Sequence, residues 1–187
     1  MDAKDRQEVI LVLGGCRSGK SAQALALAEA LPGEERVFLA TSVPRDPEMQ
    51  KRVERHQQER GPGWRTVECP LDLAGAIVEC GLLADVLLID CLTLWVANLL
   101  ERQAEESIVQ QSLDGLLKSL EQPGCPVVFV GNEVGAGVVP ENRLARMFRD
   151  ANGLVNQRLA ARADRVIWTV AGLAVGIKAG QNQGEKI

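Results

Sequence analysis

Eight residues, Gly14-Gly15-Cys16-Arg17-Ser18-Gly19-Lys20-Ser21, follow an unbroken apolar run at 9–13 and precede an alanine- and leucine-rich stretch at 22–29. The apolar run reads as a buried strand and the stretch after the loop as a helix. Strand, glycine-rich loop and helix in that order are the setting of a phosphate-binding P-loop. Glycines let backbone N–H groups close around phosphate oxygens, and the helix N-terminus adds partial positive charge. Lys20 is expected to reach the β- and γ-phosphates, and Ser21 Oγ to ligate Mg²⁺. A plain glycine turn between a strand and a helix is the alternative, and it accounts for less of the pattern. A chain built this way is expected to hold a nucleoside triphosphate.

Apolar runs alternate with helical stretches along the rest of the chain. Strands are expected at 9–13, 36–40, 86–89, 126–130 and 165–170, with a short extended piece at 64–67 as an edge strand. They are short, continuous in apolarity and rich in Val, Leu and Ile, as strands of a parallel sheet covered on both faces must be. Helices are expected at 20–30, 47–60, 72–80, 92–102, 105–120 and 140–163. In the last, Leu144, Phe148, Ala151, Val155 and Leu159 form one apolar stripe, and Pro140 suits a first turn. The fold expected is α/β: a P-loop NTPase-type three-layer sandwich, with a mostly parallel central sheet between helices. With 187 residues and no linker or repeat, one domain over 1–187 is expected, with loose termini at 1–8 and 179–187.

Composition narrows the function. A net charge of −4 argues against a general nucleic-acid binder. No apolar run is long enough to span a membrane, and residues 1–8 are polar, so a cytoplasmic protein is expected. The five cysteines lack C-x₂-C spacing and there is one histidine, which leaves no Cys/His zinc pattern. The cysteines read as reduced and mostly buried thiols.

Ligands of such sheets bind beyond the carboxyl ends of the strands, which nominates the loops at 14–21, 41–46, 90–93 and 131–140. Asp90 ends an apolar strand, the position of a Walker-B carboxylate that holds Mg²⁺ directly or through water. His56 lies on a basic helix with Lys51, Arg52, Arg55 and Arg60 close in sequence. Nearby cations disfavour the imidazolium, and a neutral imidazole is what a nucleophile needs. A surface histidine on a solvated helix fits the same residues. Arg17 is placed to touch phosphate, to face solvent or to face a neighbouring subunit, and Glu68 to meet a ribose hydroxyl or simply to end a strand. Asn132 and Glu133 stand at the expected rim of the site. Arg143, Arg146 and Arg149 follow on a polar helix face, as surface ion-pairing residues or as an anion site. No N-K-x-D sequence and no protein-kinase motif set is present. What remains is small-molecule phosphoryl or nucleotidyl transfer, or an ATPase-like or regulatory nucleotide-binding module.

Several segments together resemble one family. They are the loop at 14–21, Ala40-Thr41-Ser42, Glu48-Met49, His56 with 64–68 following, Asp90-Cys91-Leu92-Thr93, and above all the segment from Asn132 to Asp150 with Gly153 and Asn156-Gln157. The chain resembles the bifunctional adenosylcobinamide kinase/adenosylcobinamide-phosphate guanylyltransferases of cobalamin biosynthesis over roughly residues 9–178. The resemblance implies phosphorylation of adenosylcobinamide by ATP or GTP. It then implies attack of a histidine on GTP, and transfer of the GMP to adenosylcobinamide phosphate with pyrophosphate released. It makes His56 the guanylylated nucleophile. It gives nucleotide contacts to Gly14 through Ser21, Thr41, Ser42, Gln57, Gln58, Glu59, Arg60, Glu68 and Asp90, with Ser21 and Asp90 on Mg²⁺. It also implies a homotrimer. An enzyme keeping only the guanylyltransferase activity stays within the same resemblance. One loop serving both the α- and γ-phosphorus implies a swing of the His56 helix, with residues 41–47 as hinge.

Overall fold

The computed structural model describes residues 7–44, 47–122 and 124–179; within the helix at 47–60 it describes the backbone but not the side chains of 48, 49, 52, 53, 55, 56 and 59. Of the termini expected to be loose, residues 1–6 and 180–187 lie outside the described residues.

Among the described residues seven strands form one sheet: β1 (Val9–Gly14), β2 (Arg36–Ala40), β3 (Trp64–Glu68), β4 (Val86–Asp90), β5 (Val127–Asn132), β6 (Arg165–Val170) and β7 (Leu173–Lys178). Their order is β3-β2-β4-β5-β1-β6-β7, and only β7 is antiparallel to its neighbour. The helices are α1 (Lys20–Glu29), α2 (Pro47–Arg60), α3 (Leu73–Gly81), α4 (Leu92–Arg102), α5 (Glu106–Ser119) and α6 (Arg143–Arg162). Because successive side chains of a strand point to opposite faces, each central strand feeds two cores. Ile10, Val12, Leu88, Val128 and Val130 pack with Ala24 and Ala28 of α1. Val9, Leu11, Leu87, Ile89, Val127 and Phe129 pack with α3, α4, α5 and α6 through residues such as Ile77, Trp95, Leu113 and Val155. Each fully buried side chain of this size contributes about 1.5–3 kcal/mol. The layered α/β architecture expected from the continuous apolar runs is the one present.

Three expectations need correction. The last helix begins at Arg143 rather than at Pro140, because Asn142 is its cap and accepts a hydrogen bond from Ala145 N at 3.1 Å. Leu144, assigned to the apolar stripe, is 44% exposed; the buried residues of α6 begin at Ala151. Strand β7 was not foreseen. Its residues are exposed along their whole length, and it pairs with β6 through a tight turn with positive φ at Ala171 (50°) and Gly172 (80°).

The ends of the strands are fixed by hydrogen bonds from neighbouring elements. Asp164 Oδ2 accepts from Val9 N at 2.8 Å, which sets where β1 starts. Asn98 of α4 donates to the Thr41 and Pro70 carbonyls at 2.8 and 3.1 Å, holding the exits of β2 and β3 side by side.

Candidate active site

The P-loop leaves β1 at Gly14, whose Cα faces Asn132 of β5 on one side and Thr169 of β6 on the other. A Cβ at Gly14 would lie 2.5 Å from both the Thr169 carbonyl oxygen and Ser18 Oγ, so only glycine fits. Arg17 (φ 55°) and Gly19 (φ 93°) take left-handed conformations that curl the loop over the start of α1. The turn between β6 and β7 braces the loop from outside, with Gly172 N donating to the Ser18 carbonyl at 2.9 Å. Helix α1 then begins at Lys20 behind Gly19, with no side-chain cap. Its first N–H groups are left for a ligand, which is the arrangement an anion requires. Lys20 Nζ is 3.5 Å from the Gly15 carbonyl, folded back over the loop.

A cleft of about 340 Å³ opens beside this loop, sized for one small ligand. It is lined by Lys20 and Ser21 of α1, by Asp90 at the end of β4, by Ser42, by Gln57 and Arg60 of α2, and by Glu68 at the end of β3. Seven of the residues nominated from sequence therefore share one wall. Phe38, Pro44, Thr66, Leu94 and Asn132 complete much of the lining. Arg60 is fixed there, its guanidinium carbon 3.5 Å from the centre of the Phe38 ring and its Nη2 donating to Thr66 Oγ1 at 3.3 Å. This pins the C-terminal end of α2 to the sheet.

Other nominated residues stand elsewhere. Thr41 is fully buried, and its hydroxyl donates to the Cys91 carbonyl and accepts from Cys91 N, both at 2.8 Å. It anchors the residue after Asp90 instead of facing the cleft. Cys16, Arg17 and Gln58 are exposed and outside the lining. The side chains of His56 and Glu59 lie outside the described residues, while the backbone of both belongs to α2.

Ser21 and Asp90, nominated as metal ligands, both line the cleft and could offer oxygen to a metal. Among the described residues no group of three or more His, Cys, Asp or Glu could hold one. A divalent ion here would take two protein oxygens and draw the rest from phosphate and water, a hard-oxygen set that suits Mg²⁺.

The 131–140 loop, whose chemistry the sequence left open, is tied into the same corner. Asn132 N donates to Thr93 Oγ1 at 2.7 Å, and Glu133 N donates to the Gly14 carbonyl at 3.1 Å. Glu133 Oε1 accepts from Gly135 N at 2.6 Å. Arg146 is used structurally, its Nη1 donating to the carbonyls of Pro140 and Glu141 at 3.1 and 2.5 Å. Arg149 keeps the surface ion-pairing role, its Nε 3.7 Å from Asp150 Oδ1, while its Nη1 is buried without a hydrogen-bond partner.

The cysteines divide by burial. Cys16 is exposed, whereas Cys69, Cys80, Cys91 and Cys125 are buried, and all five are free thiols. Burial, and then the neighbouring Asp90 charge, pushes the Cys91 thiol up to about 12; Cys69 and Cys125 rise to about 11, chiefly by burial. Thiolate is the reactive form. At pH 8 a thiol reagent such as DTNB is expected to modify Cys16 quickly and the rest only on unfolding, with GTP slowing Cys16. Two or more fast thiols in the folded protein would contradict this burial pattern.

Comparison with known proteins agrees with the geometry. Residues 10–177 match the family described as cobinamide kinase / cobinamide phosphate guanyltransferase. The chain belongs to that family. It is 42% identical to the bifunctional adenosylcobalamin biosynthesis protein CobU of Salmonella typhimurium, covering 91% of this chain and 99% of that one. It is 43% identical to the bifunctional adenosylcobalamin biosynthesis protein CobP of Pseudomonas aeruginosa, covering 90% and 96%. Among solved structures, the flagellar accessory protein FlaH of Methanocaldococcus jannaschii superposes with a TM-score of 0.53 at 14% identity, over 96% of this chain and 82% of that one. A KaiC-like protein of Pyrococcus horikoshii gives 0.50 at 19%, over 86% and 70%. These two likenesses concern the fold alone. As a member of the cobinamide kinase / guanyltransferase family the chain is a transferase. No helix among the described residues is long and apolar enough to cross a membrane.

Proposed function

We propose that this chain carries out both family reactions at its one P-loop, with His56 as the guanylylated residue. In the first, the hydroxyl oxygen of adenosylcobinamide bonds to the γ-phosphorus of ATP or GTP. The bond to the β-bridging oxygen breaks, the nucleoside diphosphate leaves and the hydroxyl proton is released. In the second, a neutral His56 ring nitrogen bonds to the α-phosphorus of GTP and pyrophosphate leaves with the electron pair. A phosphate oxygen of adenosylcobinamide phosphate then displaces His56, giving adenosylcobinamide-GDP. Lys20 and the free N–H groups at the start of α1 would neutralise charge on the β- and γ-phosphates in both steps. Ser21 and Asp90 would hold Mg²⁺, whose charge helps the leaving phosphate depart.

The observation that carries this reading is the shared cleft, in which Gln57 and Arg60 of α2 face Lys20, Ser21 and Asp90. Residues next to position 56 thus border the space a triphosphate would fill. The test is incubation with GTP labelled at the α-phosphate, which is expected to leave acid-labile, base-stable label on the protein. Absence of any such label would overturn the guanylyltransfer half.

The α- and γ-phosphorus cannot both face their acceptors in one pose, so this reading includes a swing of α2. Thr41 is anchored to Cys91 and Asn98, which moves the start of the hinge past Thr41, and Arg60 marks the pivot at the other end. Structures with and without GTP are expected to differ in the placement of 47–60, and identical placements would remove this step. A homotrimer in the cytoplasm completes the reading. Sedimentation at the mass of fewer than three chains would refute the trimer.

A further inference from the structure

The cleft beside the P-loop, at about 340 Å³, is sized for a nucleotide and leaves no room for a second large reactant. Cobinamide, the substrate in the family's description, is a corrin macrocycle fringed with methyl groups and amide side chains, and it is bulkier than a nucleotide. Its place is therefore open surface within reach of the terminal phosphate. In the proposed function Lys20, Ser21 and Asp90 hold that phosphate on the β4–β5 side of the P-loop, where the chain leaving β5 at Asn132 stands as a wall.

The wall is the segment from Glu133 to Asp150, and hydrogen bonds fix its path. Glu133 N donates to the Gly14 carbonyl at the root of the P-loop, and Arg146 Nη1 donates to the carbonyls of Pro140 and Glu141. Helix α6 starts at this edge of the sheet and runs to the opposite one, where Asp164 bonds the start of β1. Asn152 and Asn156 donate from Nδ2 to the Asn132 carbonyl at 2.8 and 3.1 Å, which marks the height of the sheet edge on the helix. Leu144 comes roughly two turns, or about 12 Å of helix, before Asn152, so the start of α6 leads away from that edge.

On this wall Val138 is 95% exposed, the highest value of any large apolar side chain among the described residues, with Val139 at 56% and Leu144 at 44%. Apolar side chains held in water by a hydrogen-bonded loop, beside a polar site, mark a surface that a ligand covers. The other exposed leucines among the described residues stand away from it: Leu82 and Leu83 follow α3 at the opposite edge of the sheet, and Leu173 opens β7 on the far side of the P-loop. We propose that Val138, Val139 and Leu144 form the docking surface for the corrin macrocycle, which rests there with its reactive arm reaching the P-loop. The proposal rests on the cobinamide chemistry of the proposed function, and one placement serves both reactions. In the first, the hydroxyl of the arm meets the γ-phosphorus. In the second, pyrophosphate leaves the α-phosphorus on the side opposite His56. The phosphate now on the arm enters along the vacated path, and its oxygen bonds to the α-phosphorus as the bond to His56 breaks.

The test compares the wild-type protein with Val138→Asp, Val139→Asp and Leu144→Ser, and with Leu83→Asp and Leu173→Asp as controls. The readouts are KM for adenosylcobinamide in phosphorylation, equilibrium dialysis of adenosylcobinamide followed by its visible absorbance, and labelling by α-labelled GTP, which needs no corrinoid. Loss of one buried aliphatic contact corresponds to about 10-fold in affinity. Each wall variant is expected to raise KM and weaken binding in dialysis by that factor. Labelling is expected to stay within about twofold of wild type, as is every readout of the controls, because all the substitutions are on the surface. An unchanged KM in both valine variants overturns the docking surface. An equal effect of Leu173→Asp also overturns it, since the macrocycle would then lie on the β6 side of the loop. So does a KM rise accompanied by a lower sedimenting mass, which would make the wall a contact between copies of the chain. Wild-type protein that binds adenosylcobinamide without phosphorylating it would instead refute the kinase reading, while the dialysis of the variants still decides the surface.

Discussion

A His56→Ala protein is expected to take up no label from α-labelled GTP while still phosphorylating adenosylcobinamide. The expectation is all-or-none, because His56 is the only histidine in the chain and no other imidazole can form the phosphoramidate. The substitution lies inside α2, and alanine is the better helix former, so loss of fold does not offer an alternative explanation. The proposed γ-phosphoryl transfer uses Lys20, Ser21 and Asp90 and no histidine, so its rate is expected within about threefold of wild type, allowing for the small context effects usual for a nearby truncation. Supplying adenosylcobinamide phosphate directly should not restore guanylyl transfer, since the missing step precedes it. Retention of label by the variant would falsify the assignment of His56.

Lys20→Ala is expected to lower both activities together, each by about 10²–10³-fold, the usual effect of removing one preorganised charge-stabilising donor. The ammonium stands at the mouth of the loop, 3.5 Å from the Gly15 carbonyl, and lines the same cleft as Asp90. In γ-transfer it would offset charge on the β–γ bridge, and in α-attack it would offset charge on the departing pyrophosphate. The pair of variants therefore separates the proposed chemistry, in which His56 would serve a single step and Lys20 both. Measuring cobinamide phosphorylation and His56 labelling on the same preparations decides it. A Lys20→Ala protein impaired in only one activity would mean that the two reactions do not share the loop.

Much of this layout is legible in the sequence, for a physical reason. Strands buried on both faces must be apolar at every position, so β1, β4 and β5 stand out as runs, and their polar ends, Gly14, Asp90 and Asn132, mark the edge where ligands bind. The P-loop is legible because its backbone path admits few residues at Gly14 and Gly19. What stayed hidden depends on pairing at long range. Thr41 looks like a ligand contact from its place after β2, and only the approach of Cys91 shows that its hydroxyl is already used. The bonds that Asn152 and Asn156 donate to the Asn132 carbonyl join residues 20 and 24 positions apart, which no local pattern reveals. Strand β7 escaped because an exposed strand has no buried face to announce it, although Leu173, Val175 and Ile177 alternate in the way a strand does.

Helix α1 ends, on its N-terminal side, in a glycine that cannot cap it. The other helices of this chain that start at Leu73, Leu92 and Arg143 are closed by Asp72, Cys91 and Asn142 from their own sequence. In the proposed function the acceptor for α1 arrives from outside, as phosphate oxygen. The nucleotide is then a component of the secondary structure as well as a reactant. Its occupancy adds to folding stability by mass action, about 2.7 kcal/mol at a concentration one hundred times the dissociation constant. The empty protein is in this sense an unfinished one, and its resistance to heat and proteolysis becomes a gauge of the nucleotide supply around it.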